Sequence, residues 1–476
     1  MNQTKEDIYR ASRIRHWDYV ANWVDTHRNW GCFYRRKLKD IYRNIVPEGM
    51  RVLEIGCGQG DLLAALKPAC GIGVDFSSEM IARARIRHPD LEFCQADVHE
   101  LELAGTFDFI ILSDLINDLW DVQAVFEKLK RFCNSRSRIV LNTYSRLWEM
   151  PLALARRMNL TAPSLIQNWL TVEDVENLLN LAGFEMVKHW EEILWPLDTP
   201  VLEALCNRFM VRLWPLRIFH LCHIIVARPC GFALHAPLPR VSVIVPARNE
   251  EGNITAIVDR IPDLGAGTEI IFVEGHSTDG TWEILHNIVE SRREVDCRLL
   301  RQPGVGKGDA VRCGFAAASG DILMILDADM TVPPEDLARF YGVLVSGRGE
   351  FANGVRLVYP MEKEAMRFLN LVGNKFFSLA FSWLLGQPIK DTLCGTKALW
   401  KSDYERIAAQ RSYFGEFDPF GDFDLLFGAS RLNLKIRDVP IRYRERIYGD
   451  TNIKRWRHGL LLLRMLVFAM KRLKFI

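Results

Sequence analysis

Short, unbroken apolar runs, set apart by stretches of helical pattern, restrict what this chain can fold into. One series starts at Arg51-Val52-Leu53-Glu54-Ile55 and continues through Gly71–Asp75, Phe107–Leu112 and Arg138–Leu141. A second starts at Val241–Val245 and continues through Glu269–Val273 and Asp321–Leu326. A strand that is apolar on both faces must be covered on both. Crossover helices do this in parallel sheets, so each series predicts its own α/β sheet. The boundary is expected near Pro229–Pro239, where Pro229, Gly231, Pro237 and Pro239 suit neither helix nor sheet. That divides the chain into residues 1–232 and 233–476.

Composition supports two cores. The 476 residues are 49% hydrophobic and 25% charged, which excludes a disordered chain or a small disulfide scaffold. A net charge of +2 argues against a nucleic-acid binder. The eleven cysteines include no C-x-x-C pair, so reduced cytoplasmic thiols are expected rather than a zinc ribbon. The polar start, Met1–Arg10, does not read as a signal peptide, and no apolar stretch reaches the ~18 residues of a spanning helix.

Charge is uneven, however. Residues 442–476 hold ten Lys/Arg against two Asp/Glu. Arg457, Arg464 and Lys471 recur beside Leu460–Leu463 and Leu466–Met470, which on a helix makes a cationic stripe along an apolar face. Two placements follow: in the headgroup layer of an anionic membrane, as a peripheral contact, or packed on the second core.

In the first half, Glu54-Ile55-Gly56-Cys57-Gly58-Gln59-Gly60 follows a strand and opens a helix at Asp61. Glycines at 56, 58 and 60 let a ligand approach the backbone. Asp75 ends the next strand about 20 residues on, where a carboxylate accepts from ribose hydroxyls. Asp97 follows a third strand and is placed to accept from an adenine amino group. These residues resemble the class I S-adenosylmethionine-dependent methyltransferases from about Phe33 to Arg228. The resemblance rests on Val52–Gly58, Gly73-Val74-Asp75-Phe76-Ser77 and Gln95-Ala96-Asp97. It implies a Rossmann-like seven-stranded sheet and S-adenosylmethionine bound by Glu54, Gly56, Gly58, Gly60, Asp75, Asp97 and Ser113. Asp114, Asp118 and Tyr144 are candidate bases for methyl transfer, and the methyl acceptor is left open.

In the second half, Ile325-Leu326-Asp327-Ala328-Asp329 ends an apolar strand in two carboxylates one residue apart. Side chains two apart point the same way in extended chain, so the pair repels unless a cation joins it. Mg²⁺ or Mn²⁺ shared with substrate phosphates is the expected occupant. Lys307 and Arg312, on either side of a glycine-bearing turn, suit a phosphate. With Pro246–Glu251 and Glu274–Thr281, the pattern resembles family 2 glycosyltransferases of GT-A fold, in particular the dolichyl-phosphate mannose synthase branch, over roughly Pro239–Trp456. The resemblance implies a nucleotide-sugar site at Pro246, Arg248, Glu250, Glu274, Lys307, Arg312 and Asp327. It places metal at Asp327 and Asp329, and acceptor-side acids at Asp422 and Asp424. Glu274-Gly275-His276-Ser277 departs from the usual Asp-Asp-Gly-Ser, Thr331 stands where that branch often has Gln, and Thr451-Asn452 replaces its Ser-Lys. Sugar and acceptor therefore stay open.

The expected function is a bifunctional transferase. One half moves a sugar, with inversion and metal assistance, from a nucleotide-sugar to a polyprenyl-phosphate or other lipid-phosphate, or to a hydroxyl acceptor. The other half transfers a methyl group. The alternative is a glycosyltransferase whose first domain only binds S-adenosylmethionine as a sensor or scaffold. A cytoplasmic protein, soluble or peripheral on the membrane face, is expected on either reading.

Overall fold

The computed structural model describes residues 5–26, 31–158, 163–231, 237–356, 358, 368–410, 422–444, 446, 448 and 455–475. The chain divides into two units, Met1–Phe232 and Ala233–Ile476. Each is built on a seven-stranded sheet.

In the first unit the apolar runs become β1 (Arg51–Ile55), β2 (Cys70–Asp75), β3 (Glu92–Gln95), β4 (Phe107–Leu112), β5 (Cys133–Tyr144), β6 (Phe184–Glu192) and β7 (Cys222–Pro229). Their order is β3-β2-β1-β4-β5-β7-β6. The first five strands are parallel, and β7 runs antiparallel to both neighbours. Val52 and Leu53 are both fully buried although they point to opposite faces, so β1 is covered on both sides. One face packs Leu53, Ile110, Leu141 and Ile225 against the helices Val122–Leu129 and Val172–Leu181. The second of these helices starts at a capping box, in which Thr171 and Asp174 satisfy each other's backbone amides. The other face packs Val52, Phe109 and Val140 against Leu38 and Tyr42 of the helix Gly31–Ile45.

The second unit follows the same logic with β8 (Val241–Ala247), β9 (Thr268–Glu274), β10 (Cys297–Arg301), β11 (Ile322–Ile325), β12 (Phe351–Val355), β13 (Lys397–Trp400) and β14 (Ile436–Pro440). The order is β10-β9-β8-β11-β13-β12-β14, and β13 lies antiparallel between β11 and β12. Both sheets are therefore mixed, where the apolar runs alone suggested parallel pairing. Strand polarity is set by the connections, and runs of this kind carry no sign of it.

Strand order reverses between β1 and β4 in one sheet and between β8 and β11 in the other. Crossovers leave such a point in opposite directions, so a crevice opens at the carboxyl ends of the two strands. Both glycine- and acid-bearing loops of the sequence lie at these two points.

The C-terminal helix, Arg455–Leu473, packs on the second core. Leu462, Met465, Leu466 and Ala469 are buried in one cluster with Phe377, Phe381 and Leu384 of the helix Phe368–Leu385. Of the two placements open to this helix, its inner face takes the core. Its outer face still shows Leu463, Val467, Arg464 and Lys471 to solvent. Among the described residues, no helix is long and apolar enough to cross a membrane.

This packing makes a prediction. Met465→Lys buries an unpaired charge and should destabilise the second unit by about 3 kcal/mol or more, whereas Arg464→Ala should stay within about 0.5 kcal/mol. Denaturant midpoints of the full chain measure both; equal, small effects would mean that this helix is not held in the core.

Candidate active sites

The first site forms where β1 and β4 part. Register places Ile55 beside Leu112, and the chain leaves β1 through Gly56, whose φ is +72°. A Cβ there would meet the Leu115 side chain at 2.9 Å, so only glycine fits. Gly60, at φ +78°, begins the helix Asp61–Ala65. Asp75 closes the loop from the next strand: its Oδ2 accepts from Gly58 N–H and its Oδ1 from Ser77 N–H, both at 2.9 Å. Burial pushes the Asp75 carboxyl up to about 6 against these two hydrogen bonds. Glu54 is buried beneath the loop, where desolvation raises its carboxyl to about 8, and its Oε2 has no partner among the described residues.

Asp97 accepts from the backbone N–H of His99 at 2.8 Å, and its Oδ1 lies 2.7 Å from His99 Nδ1. Burial raises its pKa, but the His99 contacts and Arg10 outweigh this and hold it below the usual carboxylate range. Gly56, Asp75 and Asp97 share the lining of one open pocket with Leu115 and His99. The buried Nε2 of His99 is without a partner among the described residues. Ser113 and Glu54 do not line this cavity.

One wall of the cavity was not legible in the sequence. Tyr9, Arg10 and Arg13 reach it from the helix Lys5–Thr26. Arg10 Nε lies 3.2 Å from Asp97, and Arg13, only 4% exposed, pairs with Asp118 at 2.9 Å. Trp17 Nε1 donates to the other Asp118 oxygen at 3.0 Å. Asp118 therefore anchors this helix, a role that removes it from the candidate bases. Asp114 and Tyr144 fall together elsewhere, beside Tyr34 and Asn142.

The second site forms where β8 and β11 part. Asp327 Oδ1 holds Lys307 Nζ at 2.5 Å. Asp329 caps its own turn, accepting from the N–H and hydroxyl of Thr331 at 3.1 and 2.7 Å. Arg446 then joins two acids: its NH2 lies 2.8 Å from Asp329 Oδ2 and its NH1 3.4 Å from Glu250 Oε1. Glu250 also accepts from Asn253 at 2.8 Å. Desolvation nevertheless raises its carboxyl to about 7, with Arg446 opposing. The structure thus brings Glu250, Lys307, Asp327 and Asp329 together and adds Arg446.

The remaining candidates stand further out. Glu274, 1% exposed, accepts from Ser277 N–H at 2.5 Å, and so holds the loop that departs from Asp-Asp-Gly-Ser. Pro246 is half-buried and Arg248 exposed at the end of β8. Arg312 is half-buried on the helix Lys307–Ala317. Asp424 is half-buried in the helix Asp422–Arg431, while the Asp422 side chain lies outside the described residues.

A second, unforeseen element is the loop before β13. Asp391 is fully buried and grips Arg356 with both oxygens, at 2.7 and 2.9 Å. Gly395 lies against the Lys307–Asp327 pair, and any Cβ there would collide with both side chains. Among the described residues no three His, Cys, Asp or Glu converge as a closed metal cage. The oxygen donors Asp327 and Asp329 fit a divalent ion that takes one or two carboxylates and fills its sphere with diphosphate and water.

Known proteins agree with this division. Residues 47–194 match the family model of a methyltransferase domain, and residues 242–407 match that of glycosyl transferase family 2. Glycosyltransferase AglJ of Haloferax volcanii is 27% identical over 221 residues, 46% of this chain and 68% of the relative. A dolichol-phosphate mannosyltransferase of Pyrococcus furiosus is 28% identical over 221 residues, 45% of this chain and 59% of its own length. Among solved structures, the glucosyl-3-phosphoglycerate synthase of Mycobacterium tuberculosis, bound to Mn²⁺, UDP and glucosyl-3-phosphoglycerate, is 23% identical. It covers 49% of this chain and 80% of its own, with a TM-score of 0.37.

Glu54 supplies a test of the first site. Between the ordinary value of 4.5 and about 8, the native state keeps a proton that the unfolded chain has released. Stability should therefore fall as pH rises through that window, by up to about 1.4 kcal/mol per pH unit. Glu54→Gln removes this slope, so its stability relative to the natural protein should improve from pH 5 to pH 8 in denaturant titrations. A disadvantage that grows with pH would contradict the buried, proton-bearing Glu54.

Proposed function

We propose that this chain, which carries a methyltransferase domain followed by a glycosyl transferase family 2 domain, is a bifunctional transferase. Its second half passes a sugar from a nucleotide-sugar to an acceptor, and its first half passes the methyl group of S-adenosylmethionine to another. The observation that carries the first reaction is the set of acids and cations at the end of β11: Asp327 with Lys307, and Asp329 with Arg446. As the glycosidic C–O bond breaks, negative charge grows on the leaving nucleoside diphosphate. Lys307 and Arg446 would stabilise that charge, and Asp327 and Asp329 would hold Mg²⁺ or Mn²⁺ beside it. The metal's chemistry is to neutralise the diphosphate. Reaction with inversion follows the family resemblance.

A lipid-phosphate is our preferred acceptor, since the Pyrococcus relative is a dolichol-phosphate mannosyltransferase. Such an acceptor is an anion near pH 7 and needs no base. A hydroxyl acceptor would need one, with Asp422 or Asp424 in that role. The exposed Leu463 and Val467, beside Arg464 and Lys471, are the surface by which the second half would touch an anionic bilayer peripherally. For the first half, Asp75 would take the ribose and Asp97 the adenine. One observation favours the scaffold alternative: Asp97 is already occupied by Arg10, so nucleoside and arginine compete for it.

Metal-dependent release of nucleoside diphosphate from a panel of nucleotide-sugars tests the second half. Activity should vanish with EDTA and return with Mn²⁺. Asp327→Ala and Asp329→Ala should each lower it by about a hundredfold or more, the scale of losing a main electrostatic stabiliser. Full activity in EDTA would reject the metal site. Asp422→Asn and Asp424→Asn should each keep activity on a polyprenyl-phosphate; loss in either would contradict transfer without a base. For the first half, Asp75→Ala should weaken S-adenosylmethionine uptake at least tenfold by calorimetry, and label transferred from the methyl group into product would reject the scaffold.

A further inference from the structure

Three half-buried or buried acids of the first unit are matched by cations, whereas Asp114, like Asp75, has only neutral donors. Asp97 has Arg10, Asp118 has Arg13, and Glu192 has Arg212. Among the described residues, no Lys, Arg or His forms an ion pair with Asp114. Its donors are neutral: Tyr34 hydroxyl at 2.8 Å and Asn142 Nδ2 at 2.5 Å, both on Oδ1, with Tyr144 a third. Asn142 is itself fixed, since its carbonyl oxygen accepts from Tyr42 hydroxyl at 2.8 Å and from Asp114 N–H at 3.1 Å. Asp114 is held at φ +54°, an uncommon conformation for a residue with a side chain, and the surrounding hydrogen bonds maintain it.

Two of these partners are aromatic, and a third ring lies beyond them. Tyr34 and Tyr144 lie 6.0 Å apart between ring centres, and Trp169 lies 6.2 Å from Tyr144. All three are partly exposed, and Tyr34 and Tyr144 pack against the core on their inner sides. Trp169 sits beside an anchored residue: Asn168 donates through Nδ2 to Leu119 oxygen at 2.8 Å and through its N–H to Asn117 oxygen at 2.7 Å. Three rings and a carboxylate without a cation are the chemistry that recognises an ammonium group. The cluster lies outside the lining of the first pocket but adjoins it along the chain. Asp114 immediately precedes Leu115, which packs against Gly56 at the cofactor loop.

We propose that Tyr34, Tyr144, Trp169 and Asp114 form the methyl-acceptor subsite and that the acceptor is an amine. This rests on the methyltransferase reading of the first half. A carboxylate or phosphate acceptor would be repelled by Asp114, and a plain hydroxyl gains little from the rings. The bound ammonium first gives one proton to Asp114, which passes it to water. The nitrogen lone pair then forms the N–C bond while the electron pair of the C–S bond stays on sulfur, leaving a methylated ammonium and a neutral thioether. Burial, which raises the Asp114 carboxyl above its usual range, suits it to take that proton.

The test uses the full chain saturated with S-adenosylhomocysteine, and choline as a cation that needs no reaction. Calorimetry should show saturable choline binding, with 3,3-dimethylbutan-1-ol, its neutral carbon analogue, at least tenfold weaker. Asp114→Asn and Trp169→Leu should each lose tenfold or more in choline affinity and keep S-adenosylhomocysteine affinity within threefold. Equal binding of choline and the alcohol, or none of choline, overturns the amine proposal while the cofactor reading stands. Asp114→Asn that weakens S-adenosylhomocysteine but not choline also overturns it, since the carboxylate would then serve the cofactor's own ammonium. No uptake of S-adenosylhomocysteine at all overturns the methyltransferase reading and this proposal with it.

Discussion

Reversal of strand order is the constraint on which both halves depend. At β1/β4 and again at β8/β11, the crossovers diverge and leave the carboxyl ends of two parallel strands uncovered. Backbone amides and short acidic side chains can reach such a crevice without breaking a core, because the strands behind them are buried on both faces. The first crevice collects glycines and carboxylates suited to hydroxyl and amino groups. The second collects carboxylates already matched by Lys307 and Arg446, suited to a ligand that carries several negative charges and a cation together.

Both sites are largely neutralised from within. Asp97 leans on Arg10, Asp327 on Lys307, and Asp329 and Glu250 share Arg446. Burying any one of these acids alone would be costly, and pairing removes much of that penalty. Ligand binding then becomes an exchange of partners rather than the first arrival of charge. Asp114 and Asp75 have neutral partners instead: phenols and an amide for the one, backbone amides for the other.

The strands and the two crevices were legible because apolar runs and glycine- or acid-bearing turns are local signals. Asp75 and the Asp327/Asp329 pair were legible for the same reason, each at the end of such a run. The rest was hidden by distance along the chain. Arg446 lies far from Asp329 in sequence, and Arg10 and Arg13 reach the first cavity from a polar helix without an apolar stripe to announce its docking. Strand polarity was equally silent: nothing in Lys397–Trp400 distinguishes an antiparallel strand from a parallel one. The Asp391–Gly395 loop has no periodicity at all, yet its glycine abuts the Lys307–Asp327 pair. Tyr34, Tyr144 and Trp169 belong to separate elements, so their meeting at Asp114 exists only once the sheet has formed.

The buried pair of Arg13 with Asp118 ties the first helix to the turn that follows β4. The helix Lys5–Thr26 is thereby part of the first pocket's wall. Deleting it would strand a desolvated carboxylate next to that wall, so the helix belongs to the interior of the fold.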